Sequence, residues 1–340
     1  MNKNIYQFLN LFFSSKFKQI SNLIEHDLSV FFKFCSTSAD CLNQKCSATD
    51  SSDFFCEKTY SFELFDPFLC DSRLSQPLLY MLDVVHRRGD LFNNILVHGS
   101  FASGDPCLGW SDFDALLILN DEVIIDHQLF KDAWHEVQLM NEKTLKNIDH
   151  LCHHEFQVLA LSDLKKLPVS ILPPIVFDTM KAVKKETYTV SFYGDLGDAK
   201  NTLLSYLDLF RNSLDTNIFE HHPVDGVYLA GKFARLDNSM YQFKYFISVV
   251  CLAPAIFYNS IGKELSKKDA IHRIQADYPN FDWTLLRSTT RLREMWPNKS
   301  NFPYLSKDIP NWVLGVVSPD YFQQAFKMFN FLVGKLNDES

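Results

Sequence analysis

The chain has 340 residues, of which 46% are hydrophobic and 22% charged, and its formal net charge is −8. This length and composition suit two globular domains and exclude collagen-like or low-complexity chains. Binding of nucleic acid depends on Lys and Arg side chains that neutralise phosphates. Nucleic acid is therefore a possible partner for this acidic chain, but not a favoured one.

No membrane or export segment is expected. The sequence has no run of about 18 apolar residues, the length a membrane helix needs. Its first 13 residues lack the apolar core and small residues of a signal peptide. We therefore predict a cytoplasmic protein with reduced cysteines. The spacing of the four cysteines in the N-terminal region does not fit a zinc site; these are Cys35, Cys41, Cys46 and Cys56.

Residues 1–74 are predicted to be an N-terminal extension of unknown role. Apolar residues in 1–34 recur mostly at steps of three and four, which is typical of a helix. Residues 35–60 are rich in Ser, Thr, Asp and Asn, and this composition predicts a polar loop.

Residues 75–190 are predicted to form an α/β domain. A helix is expected over 74–88, a buried strand over 94–98, a second strand over 114–119, a helical stretch over 129–148 and a third strand over 156–161. After residue 191 the apolar spacing is helical, so 191–340 is predicted to be an all-helical domain. The fold class expected for the whole chain is α+β.

The segment 97–119, VHGSFASGDPCLGWSDFDALLIL, carries the chemistry. Alternation along a strand would place Asp112 and Asp114 on one face and Phe113 in the core. Two adjacent carboxylates repel each other unless a cation lies between them, and Mg²⁺ prefers oxygen ligands and often bridges carboxylates to phosphates. Gly99 permits a sharp turn and close approach of a phosphate, and Ser100 offers a hydroxyl and an amide. If residues 100–104 begin a helix, its first amides add to this anion site.

This segment resembles the motif of the DNA polymerase β-like nucleotidyltransferase superfamily, which consists of Gly-Ser, a spacer of about ten residues and then Asp-x-Asp on a strand. GSFASGDPCLGWSDFD is similar to the form in its small-molecule and minimal members. The resemblance implies a nucleotidyltransferase-fold mixed sheet flanked by helices, with two Mg²⁺ on Asp112 and Asp114 and nucleotide phosphates at Gly99 and Ser100. One departure is Ser103, where many relatives have an arginine.

The resemblance also implies a third acid, at the start of a downstream strand. In HHEFQVLAL the candidate is Glu155, as a metal ligand or as the general base for the attacking hydroxyl. His153 and His154 are alternative bases, since imidazole titrates near neutral pH. Asp163 lies beyond the strand and is a weaker candidate.

Residues 241–274 resemble the helical domain that follows the catalytic domain in kanamycin-type nucleotidyltransferases. In those relatives this domain helps to bind nucleotide, so Lys244 is the candidate nucleotide ligand here. Tyr241 and the pair Lys267-Lys268 are further candidates. Helical spacing of the aromatic residues is equally typical of a core, and Ser266 with Asp269 is typical of a helix start.

The resemblance predicts transfer of a nucleoside monophosphate from an NTP, with ATP as the first candidate, to a hydroxyl acceptor, with release of pyrophosphate. Three alternatives stay open at this stage. The acceptor is a small molecule, which the acidic charge favours if that molecule is cationic. The acceptor is a protein or tRNA, as in toxin or defence systems. The chain is a catalytically inactive protein that binds nucleotides or partners.

Overall fold

The computed structural model describes residues 54–148, 156–169, 172–194, 198–216, 239–301, 306, 308–318 and 320–339. The chain divides into two compact units, Met1–Gly194 and Asp195–Ser340. The first unit contains all the strands of the described part, and the second is helical. The protein is thus α+β with a helical C-terminal region.

A five-stranded mixed sheet organises the first unit. Its strands are β2 (Glu63–Leu64), β3 (Phe92–Val97), β4 (Ala115–Leu119), β5 (Gln157–Ala160) and β7 (Lys181–Ala182). Their order across the sheet is β2-β7-β3-β4-β5. The β3 strand is antiparallel to β4, and β5 is parallel to β4. All five residues of β4 are buried, and its continuous apolar run, ALLIL, is typical of a strand covered on both faces.

A smaller sheet contains β1 (Phe54–Ser61), β6 (Leu167–Pro168) and β8 (Thr187–Tyr193). Their order across this sheet is β1-β8-β6. The prediction of a polar loop over 35–60 is wrong for residues 54–60, because they pair antiparallel with β8 along almost their whole length. The rest of that loop, and the helix predicted over 1–34, lie outside the described residues.

Six α-helices of the first unit lie in the described part. The first five are α1 (Ser72–Arg87), α2 (Gly99–Ser103), α3 (Asp121–Ile125), α4 (His127–Met140) and α5 (Lys146–Ile148), with a π-helical turn, Asn141–Leu145, between the last two. A further short helix, α6 (Pro174–Phe177), follows β6. The helix predicted over 74–88 is confirmed as α1. It begins after Asp71, whose side chain accepts from the Arg73 amide, and it buries Leu74, Leu78 and Met81, the spacing expected of one helix face.

Asn94 anchors β3 from within. Its side chain is fully buried. Nδ2 donates to the Lys184 carbonyl at 2.9 Å and to the Tyr188 hydroxyl at 3.1 Å. Oδ1 accepts from the backbone N–H groups of Ile95 and Lys184, each at 2.9 Å. This one carboxamide therefore ties the strand that leads into the Gly-Ser turn to the segment before β8, and burial lowers the pKa of the Lys184 ammonium beside it.

The second unit is formed by helices packed around aromatic residues. The helices are α7 (Asp198–Thr216), α8 (Ser239–Ser260), α9 (Lys267–Asp277), α10 (Thr284–Lys299) and α11 (Tyr321–Glu339). The ring of Phe210 on α7 lies 5.7 Å from Phe246 on α8 and 5.0 Å from Phe329 on α11. The predicted helix start at Ser266 is confirmed, since its hydroxyl accepts from the Asp269 amide.

One helical segment in the described part, Phe243–Ser260, is long and apolar enough to cross a membrane. Its mean hydropathy is 1.2, and 61% of it is buried inside the protein. Burial of this extent is usual for a core helix of a folded domain, so length and composition alone are weak grounds for a membrane span. The cytoplasmic location stays a prediction.

The α+β class predicted from the sequence agrees with the structure in these general terms. The predicted domain limits, 1–74, 75–190 and 191–340, stay predictions, while the structure places the division after Gly194. Residues 54–61 and 63–64, which the sequence assigned to the extension, lie in strands of the first unit.

Candidate functional site

The Gly-Ser turn and the Asp-x-Asp triplet meet at the ends of two paired strands. In the antiparallel β3–β4 pair, Val97 lies opposite Ala115. The pairing continues one residue further, since the His98 backbone N–H donates to the Asp114 carbonyl at 2.9 Å. The described strand β4 begins at Ala115, one residue later than predicted, so both aspartates lie just before it. Residues that are more than ten positions apart in the sequence are thus neighbours.

Gly99 is held directly against the Asp114 carboxylate. The Gly99 φ angle is +66°, a left-handed conformation that glycine adopts readily. A β-carbon at this position would lie 2.5 Å from Oδ2 of Asp114, closer than real β-carbons approach any atom. The sequence predicted that Gly99 permits a sharp turn and the close approach of a phosphate. The structure adds that the absence of a side chain at this position makes room for the Asp114 carboxylate.

The residues after Gly99 form the short helix α2. The Ser100 carbonyl accepts from the Gly104 and Asp105 amides, the latter at 3.0 Å. The Ser103 hydroxyl donates to the Ser100 carbonyl at 3.2 Å and also contacts the Asp105 carboxylate. Ser103, where many relatives of the resembled family have a cation, therefore closes the turn, and 99–111 contains no Lys or Arg.

A second turn brings the chain from α2 to the aspartates. The Cys107 amide donates to Oγ of Ser111 at 2.8 Å, and the Ser111 amide donates back to the Cys107 carbonyl at 2.8 Å. Cys107 and Trp110 are buried. These contacts fix the direction in which the chain enters Asp112.

Phe113 points into the core, as predicted, with 1% of its surface exposed. Its ring packs edge-on against Phe101 at 4.9 Å, Phe65 at 6.2 Å and Phe156 at 6.3 Å. We call these four rings the phenylalanine cluster. Asp112 and Asp114, on either side of the buried ring, are only half-buried. Alternation along an extended chain directs both carboxylates away from the cluster.

The donor set of this site fits a hard cation. Carboxylate oxygens are the ligands that Mg²⁺ prefers, and Mg²⁺ is commonly held by one or two of them together with phosphate oxygens. Within the described residues no group of three or more His, Cys, Asp and Glu side chains is placed to hold a metal ion. The described part of the site thus offers the two aspartates to a cation, and Mg²⁺ commonly completes its coordination with water and phosphate oxygens.

Glu155, His153 and His154 lie outside the described residues, so their predicted roles stay predictions. Phe156, the next residue, is described and belongs to the phenylalanine cluster. Asp163, the weaker candidate, is buried, and its carboxylate accepts from the Ala160 amide at 2.9 Å. It caps the 3-10 helix Leu161–Lys166.

Lys244 lies in the second unit, on α8, and is 3% exposed. Tyr241 is on the same helix, and the exposed Lys267-Lys268 pair opens α9. The structure groups Gly99, Ser100, Asp112 and Asp114 in the first unit, whereas Lys244 belongs to the helical unit.

Sequence reasoning missed Gln157. This residue begins β5 and pairs with Leu116 of β4. Its carboxamide oxygen is buried and has no hydrogen-bond partner among the described residues. The available signal was a single polar residue at the start of an otherwise apolar strand, FQVLAL.

No protein-family model matches this chain, and no curated protein matches it either. The resemblance to nucleotidyltransferases therefore rests on the sequence motif.

Proposed function

We propose that the chain is a Mg²⁺-dependent nucleotidyltransferase. It transfers a nucleoside monophosphate from an NTP, ATP being the first candidate, to a hydroxyl acceptor and releases pyrophosphate. The observation that carries the proposal is the contact between Gly99 and the Asp114 carboxylate. Because of this contact, the turn suited to a phosphate and the carboxylates suited to a metal form one site.

The roles of the residues follow from their chemistry. Asp112 and Asp114 would hold two Mg²⁺, which would supply positive charge at the triphosphate and at the leaving pyrophosphate. The amides after Gly99 and the Ser100 hydroxyl hold phosphate oxygens. No hydrogen bond of that hydroxyl is found within the described ranges, and the residue is half-buried. Lys244 is the proposed cationic nucleotide ligand.

Glu155 is the proposed general base. The contact between Phe113 and Phe156 supports this assignment, because Phe113 lies between the two aspartates and Phe156 directly follows Glu155 in the sequence. His153 and His154 are the alternatives, and a pH–rate profile separates them. With a glutamate base the rate falls off at a lower pH than with an imidazole base, because the ordinary pKa of a glutamate is lower.

A second function is an inactive nucleotide-binding protein. The observation that favours it is the turn at Ser103, where a serine hydroxyl bonds back to the Ser100 carbonyl and no cation is present in the loop. A protein that binds nucleotide without this cation would stabilise the charge of the triphosphate less in the transition state, so transfer would be slower. The small-molecule acceptor and the protein or tRNA acceptor are the two versions of the active enzyme.

The first test is calorimetric titration of the folded protein with each NTP, with and without Mg²⁺. The comparison variant is Asp112→Asn/Asp114→Asn, which keeps the side-chain shape and removes both charges. Glu122→Gln is the control for loss of a carboxylate elsewhere, since Glu122 is exposed on α3 and is not part of the motif.

Mg²⁺-dependent binding of an NTP that is lost in the double variant and kept in Glu122→Gln would support the site. It would also identify the NTP that supplies the nucleoside monophosphate, which is the donor substrate. That donor then enters a screen of acceptors with pyrophosphate release as the readout. Turnover supports the transferase, whereas binding without release under all conditions supports the inactive protein. Absence of NTP binding by the folded wild type contradicts both functions.

A further inference from the structure

Gln157 lies on the same side of the sheet as Asp114. In the parallel pairing of β4 with β5, Gln157 lies beside Leu116, and paired residues of adjacent strands project to the same face. Asp114 precedes Leu116 by two residues, so alternation places its side chain on that face too. Gln157 therefore lies on the adjacent strand, beside the residue two positions after Asp114, and on the same face as the Asp114 carboxylate.

The phenylalanine cluster gives an independent check of this placement. Phe113 directly precedes Asp114, and Phe156 directly precedes Gln157. The two rings contact each other at 6.3 Å in the core. Since successive side chains of an extended chain point to opposite faces, Asp114 and Gln157 share the face opposite the rings.

The Gln157 carboxamide oxygen lacks a hydrogen-bond donor on that face within the described part of the chain. The atom is buried and accepts no hydrogen bond from the described residues, whereas nearly all buried polar atoms in folded proteins have a partner. The ionised side chains of Asp112 and Asp114 only accept hydrogen bonds, so they cannot satisfy this oxygen. The group that does so must be a donor, and it must lie on the face that Asp114 and Gln157 share.

We infer that Gln157 is a metal-positioning residue, whose carboxamide oxygen accepts a hydrogen bond from a water molecule bound to the cation at Asp112 and Asp114. This inference rests on the proposed function. A water molecule on a divalent cation is a strong donor, and Mg²⁺ keeps several of its water molecules when it binds proteins. Partners of this kind orient the coordinating groups of metal sites, and their loss weakens metal binding.

The test is titration of the full chain with Mn²⁺ alone, followed by electron paramagnetic resonance, without nucleotide. Gln157→Leu removes the oxygen at similar size, and Gln157→Glu keeps an oxygen in place and adds a charge. We expect Gln157→Leu to weaken Mn²⁺ binding by about tenfold and Gln157→Glu to bind at least as tightly as the wild type. The metal-free melting temperature of Gln157→Leu should equal or exceed that of the wild type, because the variant removes an unpaired buried acceptor.

The possible failures are distinguishable. If the wild type binds Mn²⁺ and Gln157→Leu binds it equally well, the inference is overturned and the proposed site stands. If both variants lose binding and melt at lower temperature, Gln157 has a packing role and the inference is overturned. If the folded wild type does not bind Mn²⁺, the proposed function fails and the inference fails with it.

Discussion

Oδ2 of Asp114 lies 2.5 Å from the point where a β-carbon of residue 99 would be, and residue 99 is glycine with a φ angle of +66°. Two requirements therefore coincide at one residue. The backbone must adopt a left-handed conformation, and the side chain must be absent for the carboxylate to keep its place. This relationship connects the turn to the acidic triplet more directly than their spacing in the sequence does.

Gly99→Ala should disrupt the site. Replacement at a left-handed position costs about 1–2 kcal/mol of stability from backbone strain alone, and the new methyl group must displace the Asp114 carboxylate. We expect Mn²⁺ affinity to fall by more than tenfold, which is a loss of more than about 1.4 kcal/mol in binding free energy. Calorimetry measures the affinity and urea unfolding measures the stability.

Gly104→Ala is the matched control. Gly104 also has a positive φ angle, +75°, but nothing lies within 4 Å of its would-be β-carbon. It should lose stability through the same strain and keep its metal affinity. Equal losses of affinity in the two variants would mean that strain, and not contact with Asp114, determines the effect.

Phe113→Ala should be strongly destabilising. The ring is 1% exposed and contacts three other phenylalanines, and truncation of a buried Phe costs about 3–5 kcal/mol. Phe113→Leu keeps most of the volume and should lose less. Chemical denaturation of both variants measures the difference, and a loss below about 1 kcal/mol for Phe113→Ala would contradict the buried placement.

Asn94→Ala should weaken the support of β3. Two backbone N–H groups, those of Ile95 and Lys184, lose their acceptor, and each unsatisfied buried group costs about 1–3 kcal/mol. We expect the unfolding free energy to drop by about 2–6 kcal/mol in total.

Asn93→Ala is the neighbouring control for this change. Asn93 is only half-buried, and its side chain accepts one hydrogen bond, from the Tyr188 hydroxyl at 2.6 Å. Tyr188 keeps Asn94 as a partner in that variant. Urea unfolding should therefore show a clearly smaller loss, and a larger loss than in Asn94→Ala would count against the proposed anchor.

The start of α1 should make stability depend on pH in the acidic range. The Arg73 side chain, followed by its backbone N–H, lowers the pKa of Asp71 from 3.8 to about 2. Because the folded pKa is the lower one, this carboxylate contributes stability above pH 3.8 and loses that contribution as the pH falls through about 2. The stability difference between wild type and Asp71→Asn should therefore be largest near neutral pH and shrink in acid.

Urea unfolding at several pH values checks this dependence, since asparagine keeps the capping geometry and removes only the charge. Asp83→Asn on the same helix is the control, because that carboxylate is 70% exposed and its ion pair with Arg87 is long, at 3.7 Å. Its effect should be small throughout. A constant difference for Asp71→Asn at every pH would contradict the assignment.

Local patterns predicted the elements that the chain forms by itself. The helix α1, the strands β3, β4 and β5, the burial of Phe113 and the cap at Ser266 could all be identified from apolar spacing and capping residues. These features depend on neighbours within a few positions, which is the range over which periodicity is informative.

Other features could not be predicted from local patterns. The strand β1 was assigned to a loop, because its exposed face is polar and its partner, β8, lies more than 120 residues away in the sequence. The helix α10 lies in the region predicted to be helical, but the sequence did not mark it as a separate helix. Gln157 gave no recognisable motif, since its importance depends on which residue of β4 lies beside it.

The sequence by itself determined which local features the chain has: two carboxylates on either side of a buried ring, a glycine-serine turn, and a helical second half. Only the tertiary structure decided that Asp114 packs on Gly99, that Phe113 meets Phe156, and that Gln157 shares the face of the carboxylates. The reason is physical. Strand register is set by contacts between residues distant in the sequence, and a shift of one residue would turn every side chain of a strand to the other face.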